Sequence, residues 1–321
     1  MPANVRFELK LGAATREAFG RAVAELGRSD NRIVVCDADL SKSTMTTYFA
    51  KEFPSRFFEC GIAEANMVAI GAGLAMAGKI PFVSSFSCFL LNKGFEQLRT
   101  TVAYPQINVK LVGTHSGISI GEDGPSQMSI EDLALACALP GFKVYSPADE
   151  ISMKAIVRIA AAENEPCFIR AGRPKTPIIY TPDQRFESGK AIHLVPGNDL
   201  TLVAHGLLVA ESIKAAEILE SEGISARVLD FHTIKPLDEE ALHKAAAETG
   251  AIVVSEEHLI DSGLGSRISQ VLARINPVPM EFVGVTRYAE SGTPEGLMEK
   301  YGLVAANVAA AARRVLARKR A

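Results

Sequence analysis

The sequence predicts an α/β fold made of two successive doubly wound domains. Short runs rich in Val and Ile alternate with longer helical segments through almost all of the 321 residues. Such alternation is typical of parallel strands joined by helices that cover both faces of the sheet. A stretch from 177 to 190 interrupts the alternation with prolines, polar residues and Gly189. Since the chain is also longer than a usual single domain, we expect domains of residues 1–185 and 186–321.

The first half contains five expected strands. They cover residues 32–39, 80–86, 107–114, 142–147 and 166–171. In the first helical segment, Phe19, Val23 and Leu26 recur at i, i+4 and i+7, which is the spacing of one helix face. A later segment opens with Ser129 and has Asp132 three residues on, an acidic variant of a capping box.

The alternation restarts after the interruption. Strands are expected at DLTLVAHG, ISARVLDF, AIVVSEEH and MEFVGV, and helices at 207–222, near 237–248 and from about 264. Ligands of open α/β sheets lie beyond the carboxyl ends of the strands. We therefore expect function in four loops that follow strands, namely DADLSKST, SFSCF, THSGISIGEDGPSQ and AGRPK.

Composition excludes several classes of protein. The chain is 48% apolar and 22% charged, with a net charge of −3, so it has no basic footprint for nucleic acid or a membrane surface. The five cysteines form no CxxC pair, which favours reduced thiols in a cytoplasmic protein over a disulfide framework or a zinc site. The segment MPANVRFELKLG lacks the apolar region of a signal peptide, and no apolar run reaches the ~20 residues of a membrane helix.

Glu64 stands at the start of an uncharged run. The stretch ECGIAEANM leads into VAIGAGLAMAG, so the helical turns after Glu64 are expected to be buried. A carboxylate in dry surroundings is costly unless it is paired, hydrogen-bonded or neutralised. One interpretation is a first-turn carboxylate that the helix dipole stabilises by up to ~1 kcal/mol. The other is a functional acid that shares a proton with a ligand nitrogen.

Cations and glycines near strand ends indicate an anion site. Arg16 lies in the first turn of a helix, where a cation is disfavoured, so it either reaches solvent or enters an anion site. The stretch THSGISIGEDGPSQ, with His115 and three glycines, is either a long turn or a ligand loop, and it is not a P-loop. Arg170 and Arg173 follow a strand and suit either phosphate or a surface ion pair.

Two further patterns have structural alternatives. The stretch GAGLAMAG lacks GxGxxG spacing and falls inside a helix, so we interpret it as small residues for close packing. Phe86, Phe89 and Phe95 suit a hydrophobic core, and the first two also suit stacking against a cofactor.

Taken together, these stretches resemble the C-terminal half of transketolase. The matching segments, in order, are ATREAFGRAVAELG, DADLSKST, RFFECGIAEANMVAIGAG, PFVSSFSCF with FEQLR, GISIGEDGPSQMSIEDLAL, FIRAGRPKTPIIY and VLDFHTIKPLD. They span nearly the whole chain. The resemblance implies a pyrimidine-binding domain over 1–185 and the smaller transketolase C-terminal domain over 186–321.

The resemblance also implies roles for individual residues. Glu64 matches the glutamate that shares a proton with the aminopyrimidine ring of thiamine diphosphate, so it is the expected catalytic residue. The cofactor-binding residues implied are Phe86, Phe89, Asp39 and Ile62. Position 92, aromatic in some members of the family, is Asn here. The implied substrate-binding residues are Arg16, Ser43, His115 and Arg173 at the sugar phosphate, Asp123 at a substrate hydroxyl, and Gln127, where one branch of the family has histidine.

Nothing in the chain resembles the diphosphate-binding domain of the family, with its GDG and downstream Asn. Unless the sequence is a fragment, the resemblance implies one subunit of a split, cytoplasmic enzyme of pentose phosphate metabolism. An N-terminal partner subunit would hold Mg²⁺ and the diphosphate of the cofactor, and this chain would contain no metal ligands. The implied assembly is an α₂β₂ heterotetramer with each active site at a subunit interface.

Three functions are compatible with these residues. The first is transfer of a two-carbon glycolaldehyde unit between sugar phosphates. The second keeps the cofactor but changes the reaction, as in the β subunit of a 2-oxo acid dehydrogenase or a deoxyxylulose phosphate synthase-like fragment. The third is an inactive regulatory homologue, against which the retained Glu64, Phe86, Asp123 and Arg173 argue.

Overall fold

The computed structural model describes residues 7–319. Parts of the expectations for the N-terminal segment and for the outer domain limits therefore fall on residues outside this range. In chain order, the strands of the first half are β1 (Leu11–Ala14), β2 (Ile33–Asp37), β3 (Phe57–Glu59), β4 (Ile80–Phe86), β5 (Lys110–Thr114), β6 (Lys143–Tyr145), β7 (Cys167–Arg170) and β8 (Lys175–Pro177). The helices are α1 (Thr15–Ser29), α2 (Ser41–Thr44), α3 (Thr47–Glu52), α4 (Glu64–Met76), α5 (Ser87–Gln97), α6 (Asp132–Ala138) and α7 (Glu150–Ala162). A 3₁₀ turn (Pro54–Arg56) precedes β3, and a π-helical turn (Leu98–Ala103) follows α5.

The second half repeats the alternation. Its strands are β9 (Ile192–Val195), β10 (Leu200–Ala204), β11 (Ala226–Asp230), β12 (Thr233–Lys235), β13 (Ile252–Leu259) and β14 (Met280–Val285). Its helices are α8 (Leu208–Ser221), α9 (Glu239–Thr249), α10 (Leu264–Ile275), α11 (Pro294–Lys300) and α12 (Ala305–Lys319). The predicted α/β class is confirmed, and the expected helices at 207–222, near 237–248 and from about 264 all form.

Two main sheets organise the chain. The first has the strand order β12-β6-β7-β5-β4-β2-β3 and is parallel except for β12. The second has the order β14-β13-β10-β11-β9 and is parallel except for β9. A separate antiparallel pair, β1 with β8, ties the start of the first half to its end. Long parallel strands with helices on both faces bury their side chains on both sides, which explains their Val- and Ile-rich sequences.

One strand crosses between the halves. Strand β12 belongs by sequence to the second half but pairs with β6 of the first sheet, with Thr233 opposite Tyr145 and Lys235 opposite Val144. The N–H of Ser146 also donates to the carbonyl oxygen of His232 at 2.8 Å. The backbone of the second half therefore completes one edge of the first sheet.

The two faces of the first sheet have separate cores. Helices α1 and α7 pack together on one face around Phe19, Phe82 and Ile156. Helices α4 and α5 cover the other face in a cluster that includes Val68 and Leu90. These packed helices hold the loops at the carboxyl ends of the strands in fixed positions.

Two local expectations were wrong. Helix α6 begins at Asp132 after Glu131, without a side-chain cap, so the capping box from Ser129 does not form. Helix α4 is buried on one side only, because Ala69, Gly73 and Met76 lie on an exposed face, and Met76 is 76% exposed. Within residues 7–319, no helix combines the length and the apolar character needed to cross a membrane.

Candidate functional site

The predicted site residues follow adjacent strands of the first sheet. Glu64, Asp39, Phe86, His115 and Arg173 come after or at the ends of β3, β2, β4, β5 and β7, which are neighbours in that order. Because these strands are parallel, their carboxyl ends meet at one edge of the sheet. We call this edge, with the residues just named and Arg16 of α1, the site edge.

Glu64 is the first residue of α4 and is only 3% exposed. A short loop from Cys60 to Ala63 leads into it from β3, and Ile62 in that loop is 76% exposed. The carboxylate of Glu64 accepts from Lys93 Nζ at 3.3 Å and 3.4 Å. The predicted first-turn position is confirmed, and Lys93 supplies the partner that a buried carboxylate requires.

Aromatic rings line the next part of the site edge. Phe86 at the end of β4 stacks on Phe89 with ring centroids 5.6 Å apart. The His115 ring also stacks on Phe86, with ring centroids 3.8 Å apart. Lys93 Nζ lies 4.5 Å from the centroid of Phe89, so the same ammonium contacts the aromatic row and Glu64. Asn92 donates to Glu131 at 3.1 Å and takes no part in this row.

The loop after β2 is held by carboxylates. Asp37 is buried and accepts from the Leu40 N–H and from the hydroxyls of Thr44 and Thr46 at 2.7–2.8 Å. Asp39 is exposed and adopts a positive φ of 60°. The Glu59 carboxylate accepts from the N–H of Asp39 at 2.7 Å, which fixes this left-handed turn. A non-glycine residue in that region is unusual and tends to occur at functional positions.

Three basic side chains converge at the other end of the site edge. Arg16 Nη1 donates to the Ser43 carbonyl oxygen at 2.6 Å and lies 3.5 Å from His115 Nε2. Burial and the neighbouring Arg173 guanidinium lower the pKa of Arg16. The Nε of Arg16 is buried and has no hydrogen-bond partner among residues 7–319. A cation with an unpaired donor beside other basic groups is suited to an anionic ligand.

His115 is held in a strained and dry position. It has a positive φ of 58°, is buried, and its Nδ1 lies 2.8 Å from the Thr114 hydroxyl. Burial, with the charges of Arg16 and Arg173, lowers the pKa of His115 to about 3. The imidazole is therefore neutral near pH 7, and its Nε2 faces the arginine cluster without adding charge.

The glycine-rich loop contacts this basic cluster through Arg173. Arg173 donates to the Ile120 carbonyl oxygen and forms an ion pair with Glu122 at 3.1 Å. Asp123 is exposed. Its negative charge partly offsets the lowering of the Arg16 pKa. Gln127 is half-buried, and its amide oxygen accepts from the Ser126 hydroxyl. Gly121 and Gly124 both adopt positive φ, so the loop needs these glycines.

Arg170 does not belong to the site edge, which corrects the phosphate interpretation of this residue. It is buried and pairs with Asp132 at 2.9 Å, and its Nη2 donates to the Glu257 carbonyl oxygen at 2.9 Å. Burial tends to raise the pKa of Asp132, but the Arg170 charge and His258 hold it below its usual value. Arg170 therefore joins the two halves of the chain and does not face a ligand.

Sequence reasoning missed Lys93 and Glu59. Lys93 lies four residues after Phe89 on α5, and that spacing on a helix was the available signal. Glu59 had no signal, because its contact with Asp39 depends on the pairing of β2 with β3. No group of His, Cys, Asp and Glu side chains able to hold a metal ion occurs among the residues that the structure describes.

The fold and the site edge define a two-domain α/β protein with a buried acid and an anion-suited basic cluster on one sheet. The family model described as "Transketolase, pyrimidine binding domain" matches residues 12–178, and "Transketolase, C-terminal domain" matches residues 189–308. The chain belongs to the transketolase family.

Individual relatives agree with the family match. The chain is 39% identical to the 6-deoxy-6-sulfo-D-fructose transketolase subunit SqwH of Clostridium sp. (strain MSTE9), over 98% of this chain and 99% of that protein. It is 41% identical to transketolase-like protein 2 of Mus musculus, over 94% of this chain but 49% of the mouse protein. The chain thus spans about half the length of that mammalian relative. A solved structure described as a split gene transketolase, inactive beta4 tetramer, matches with a TM-score of 0.91 and 47% identity, covering 96% of this chain and 100% of that one.

Proposed function

We propose that this chain is the C-terminal subunit of a split transketolase, which transfers a two-carbon glycolaldehyde unit between sugar phosphates. One observation carries the proposal: a buried acid, an aromatic row and a basic cluster lie in that order along a single sheet edge. The family match supplies the class of reaction.

The acid end of the site edge suits the pyrimidine ring of thiamine diphosphate. Glu64 is buried, and its charged contact is the long one to Lys93, whose ammonium also lies over the Phe89 ring. A flat heteroaromatic ring can stack on Phe86 and Phe89 while a ring nitrogen shares a proton with Glu64. When bound, thiamine diphosphate supplies the nucleophilic carbon and the electron sink for the two-carbon fragment. The expected roles of Asp39 and Ile62 beside this ring are part of the proposal.

The basic end suits the phosphate of the sugar. Arg16 offers its unpaired Nε, and Arg173 is held beside it by the glycine-rich loop. His115 contributes a neutral imidazole, and Ser43 positions Arg16 through its carbonyl oxygen. Asp123 and Gln127, in the same loop, would contact the hydroxyls of the sugar. The Clostridium relative is named for a sulfonated sugar, and a sulfonate also presents charged oxygens to arginine.

The remaining parts of the active site require a partner. We propose that an N-terminal subunit holds Mg²⁺ and the diphosphate of the cofactor. The 47% identical structure is described as an inactive tetramer. This description supports self-association of such chains without their partner. An α₂β₂ complex in the cytoplasm would then be the active form.

The first experiment is calorimetric titration of thiamine diphosphate and Mg²⁺ into the purified chain, alone and mixed with a candidate N-terminal subunit. Binding heat is expected only in the mixture, which should then transfer two carbons between phosphorylated sugars. Tight binding to the chain alone would contradict the division of the cofactor site between two subunits. Decarboxylation of pyruvate by the mixture would instead support the 2-oxo acid alternative, and the 6-sulfonated sugar belongs in the same assay.

Glu64→Gln tests the proton-sharing role directly. The amide cannot exchange a proton with the ring, so turnover of the assembled enzyme should fall about 100- to 10,000-fold. The control is Glu96→Gln, an exposed carboxylate on the neighbouring helix, which should retain full turnover. Unchanged turnover in a folded Glu64→Gln enzyme would rule out this role.

A further inference from the structure

Two cysteines lie on neighbouring strands beside the loop that leads to Glu64. Cys36 lies within β2, and Cys60 follows β3 directly. The two strands are parallel neighbours with Cys36 opposite Phe58, and the N–H of Cys60 continues the ladder by donating to the Asp37 carbonyl oxygen at 2.9 Å. Since side chains alternate along a strand, Cys60 faces the same side of the sheet as Cys36. Both side chains pack in the same hydrophobic cluster on that face, and the Cys60 thiol donates to the Phe58 carbonyl oxygen at 3.7 Å.

The two thiols differ in accessibility and acidity. Cys36 is fully buried, whereas Cys60 is only partly buried. The neighbouring Cys36 thiol lowers the pKa of Cys60, and Cys60, together with burial, raises the pKa of Cys36. Cys60 is therefore suited to react first as a thiolate, and Cys36 is the second thiol on the neighbouring strand.

The other three thiols provide an internal contrast. Burial raises the pKa of Cys88 to about 12, and that of Cys137 and Cys167 to about 11. Cys60 is the cysteine whose pKa is lowered, and all five cysteines lie within the described residues. A mild oxidant should therefore select Cys60.

We propose that Cys36 and Cys60 are a redox-modification site, where a peroxide forms a reversible disulfide that displaces the loop carrying Glu64. The Cys60 thiolate attacks one oxygen of hydrogen peroxide; the O–O bond breaks, and the second oxygen leaves as water after protonation. Cys60 is then a sulfenic acid. The Cys36 sulfur attacks the sulfur of Cys60, the S–O bond breaks, and the Cys36 proton leaves with that oxygen as a second water. Two thiols and one peroxide give one disulfide and two waters, and a dithiol reductant reverses the reaction.

The loop between Cys60 and Glu64 connects this chemistry to the site. An S–S bond of about 2 Å is much shorter than the closest approach of two unbonded thiols, so oxidation must draw Cys60 toward β2. Gly61 follows at a positive φ of 67°, and its N–H donates to Glu59 at 3.1 Å, so this turn has to adjust. Helix α4 begins with Glu64 four residues after Cys60. The effect on Glu64 as a cofactor contact rests on the proposed function, whereas disulfide formation does not.

The test uses the full reduced chain and stepwise additions of hydrogen peroxide, followed by alkylation and peptide mass spectrometry. We expect a cross-linked Cys36–Cys60 peptide pair, loss of two thiols, and recovery of both with dithiothreitol. Cys60 should react about tenfold or more faster than the three thiols with raised pKa. Hydrogen exchange over 59–68 should increase in the oxidised chain, which reports on the loop without cofactor or partner.

Variants separate the steps. Cys36→Ser should stop the reaction at a sulfenic acid that dimedone traps on Cys60, and Cys60→Ser should abolish the selective loss of thiols. Cys88→Ser is the matched control and should still form the disulfide. Circular dichroism checks the folding of each variant. If Cys36→Ser does not fold, Cys60→Ser and the cross-linked peptide of the wild-type chain still test the proposal. Oxidation of Cys60 at the rate of the other thiols, or without linkage to Cys36, would overturn the proposal and leave the pair as small packing residues. Unchanged exchange over 59–68 would overturn the displacement of the loop.

Discussion

The carboxyl-end edges of the two main sheets differ in what they contact. At the site edge of the first sheet, Glu64 begins a helix beside exposed Ile62, and Arg16 keeps an unpaired donor. At the corresponding edge of the second sheet, the polar residues at the ends of β10, β11 and β13 are buried against the first half. Both edges carry acids and histidines, but those of the second edge lie against the first half of the chain.

The second edge is filled by contacts between the halves. His205 Nδ1 lies 2.8 Å from the Ser146 hydroxyl, and Glu257 accepts from the Ser119 N–H at 2.6 Å. Tyr180 donates to Asp230 at 2.5 Å. The carboxyl ends of parallel strands therefore do not mark a binding site by themselves. The comparison shows that docking of another part of the chain can use the same groups that a ligand would use.

The largest effect is expected from breaking the buried ion pair between Arg170 and Asp132. Asp132→Ala leaves the Arg170 guanidinium buried without its carboxylate, which typically costs about 3–5 kcal/mol of the free energy of unfolding. Chemical denaturation measures this loss. The control is Glu96→Ala, which removes the exposed pair with Arg99 and should leave stability unchanged within error. A similar small loss in both variants would mean that the buried Arg170 guanidinium does not depend on the Asp132 carboxylate in the folded chain.

The next effect concerns the acid of the second edge. Burial raises the pKa of Asp230 to about 8, so between pH 4 and pH 8 the folded chain binds a proton that the unfolded chain releases. Its contribution to stability is complete below pH 4 and is lost as the pH rises through 8. Asp230→Asn should flatten this part of the dependence of the unfolding free energy on pH. An unchanged slope would show that Asp230 is ionised in the folded chain.

Removal of a cation from the site edge should affect binding rather than stability. Arg16→Gln loses charge-assisted hydrogen bonds to the proposed phosphate, worth about 1.5–3 kcal/mol, so KM for a phosphorylated sugar should rise about 10- to 100-fold. The control is Arg21→Gln, on the exposed side of the same helix. An equal rise in KM for a sugar that lacks the phosphate would contradict an anion site at Arg16.

The smallest effect is a titration. With its pKa lowered to about 3, His115 should remain neutral from pH 8 to pH 5 in a histidine NMR spectrum, with its signal assigned by loss in His115→Asn. Its contribution to stability is present above pH 6.5 and is lost as the pH falls toward 3, because the unfolded chain takes up the proton first. Arg16→Gln should raise this pKa by removing a positive neighbour. A titration near pH 6.5 would show that the first edge is wetter than the structure indicates.

Local patterns predicted the strands and helices well where the sequence is strongly periodic. Strand β4 has the expected limits of 80–86, and α8 covers Leu208–Ser221 within the expected 207–222. The start of α4 at Glu64 was also expected, since the uncharged run begins there. Shorter elements such as β6 were less well bounded, because three residues carry little periodic signal.

The failures concern long-range pairing. Arg170 and Arg173 look alike in sequence, yet one is buried against Asp132 and the other reaches the site edge. Helix α4 was expected to be fully buried, but one face is exposed. Its composition does not reveal which face lacks a neighbour in this chain. Both outcomes depend on which elements pack together, and spacing along the chain does not contain that information.

The sequence by itself determined the α/β class, the order of the elements, and the loops that carry Glu64, His115 and the glycines, since hydrophobic periodicity and turn residues act locally. Only the tertiary structure decided that Lys93 partners Glu64, that Cys60 lies on the strand edge next to Cys36, and that β12 completes the first sheet. These contacts join residues far apart in the chain. They form because docking of the two halves buries apolar surface and pairs the polar groups at the second edge.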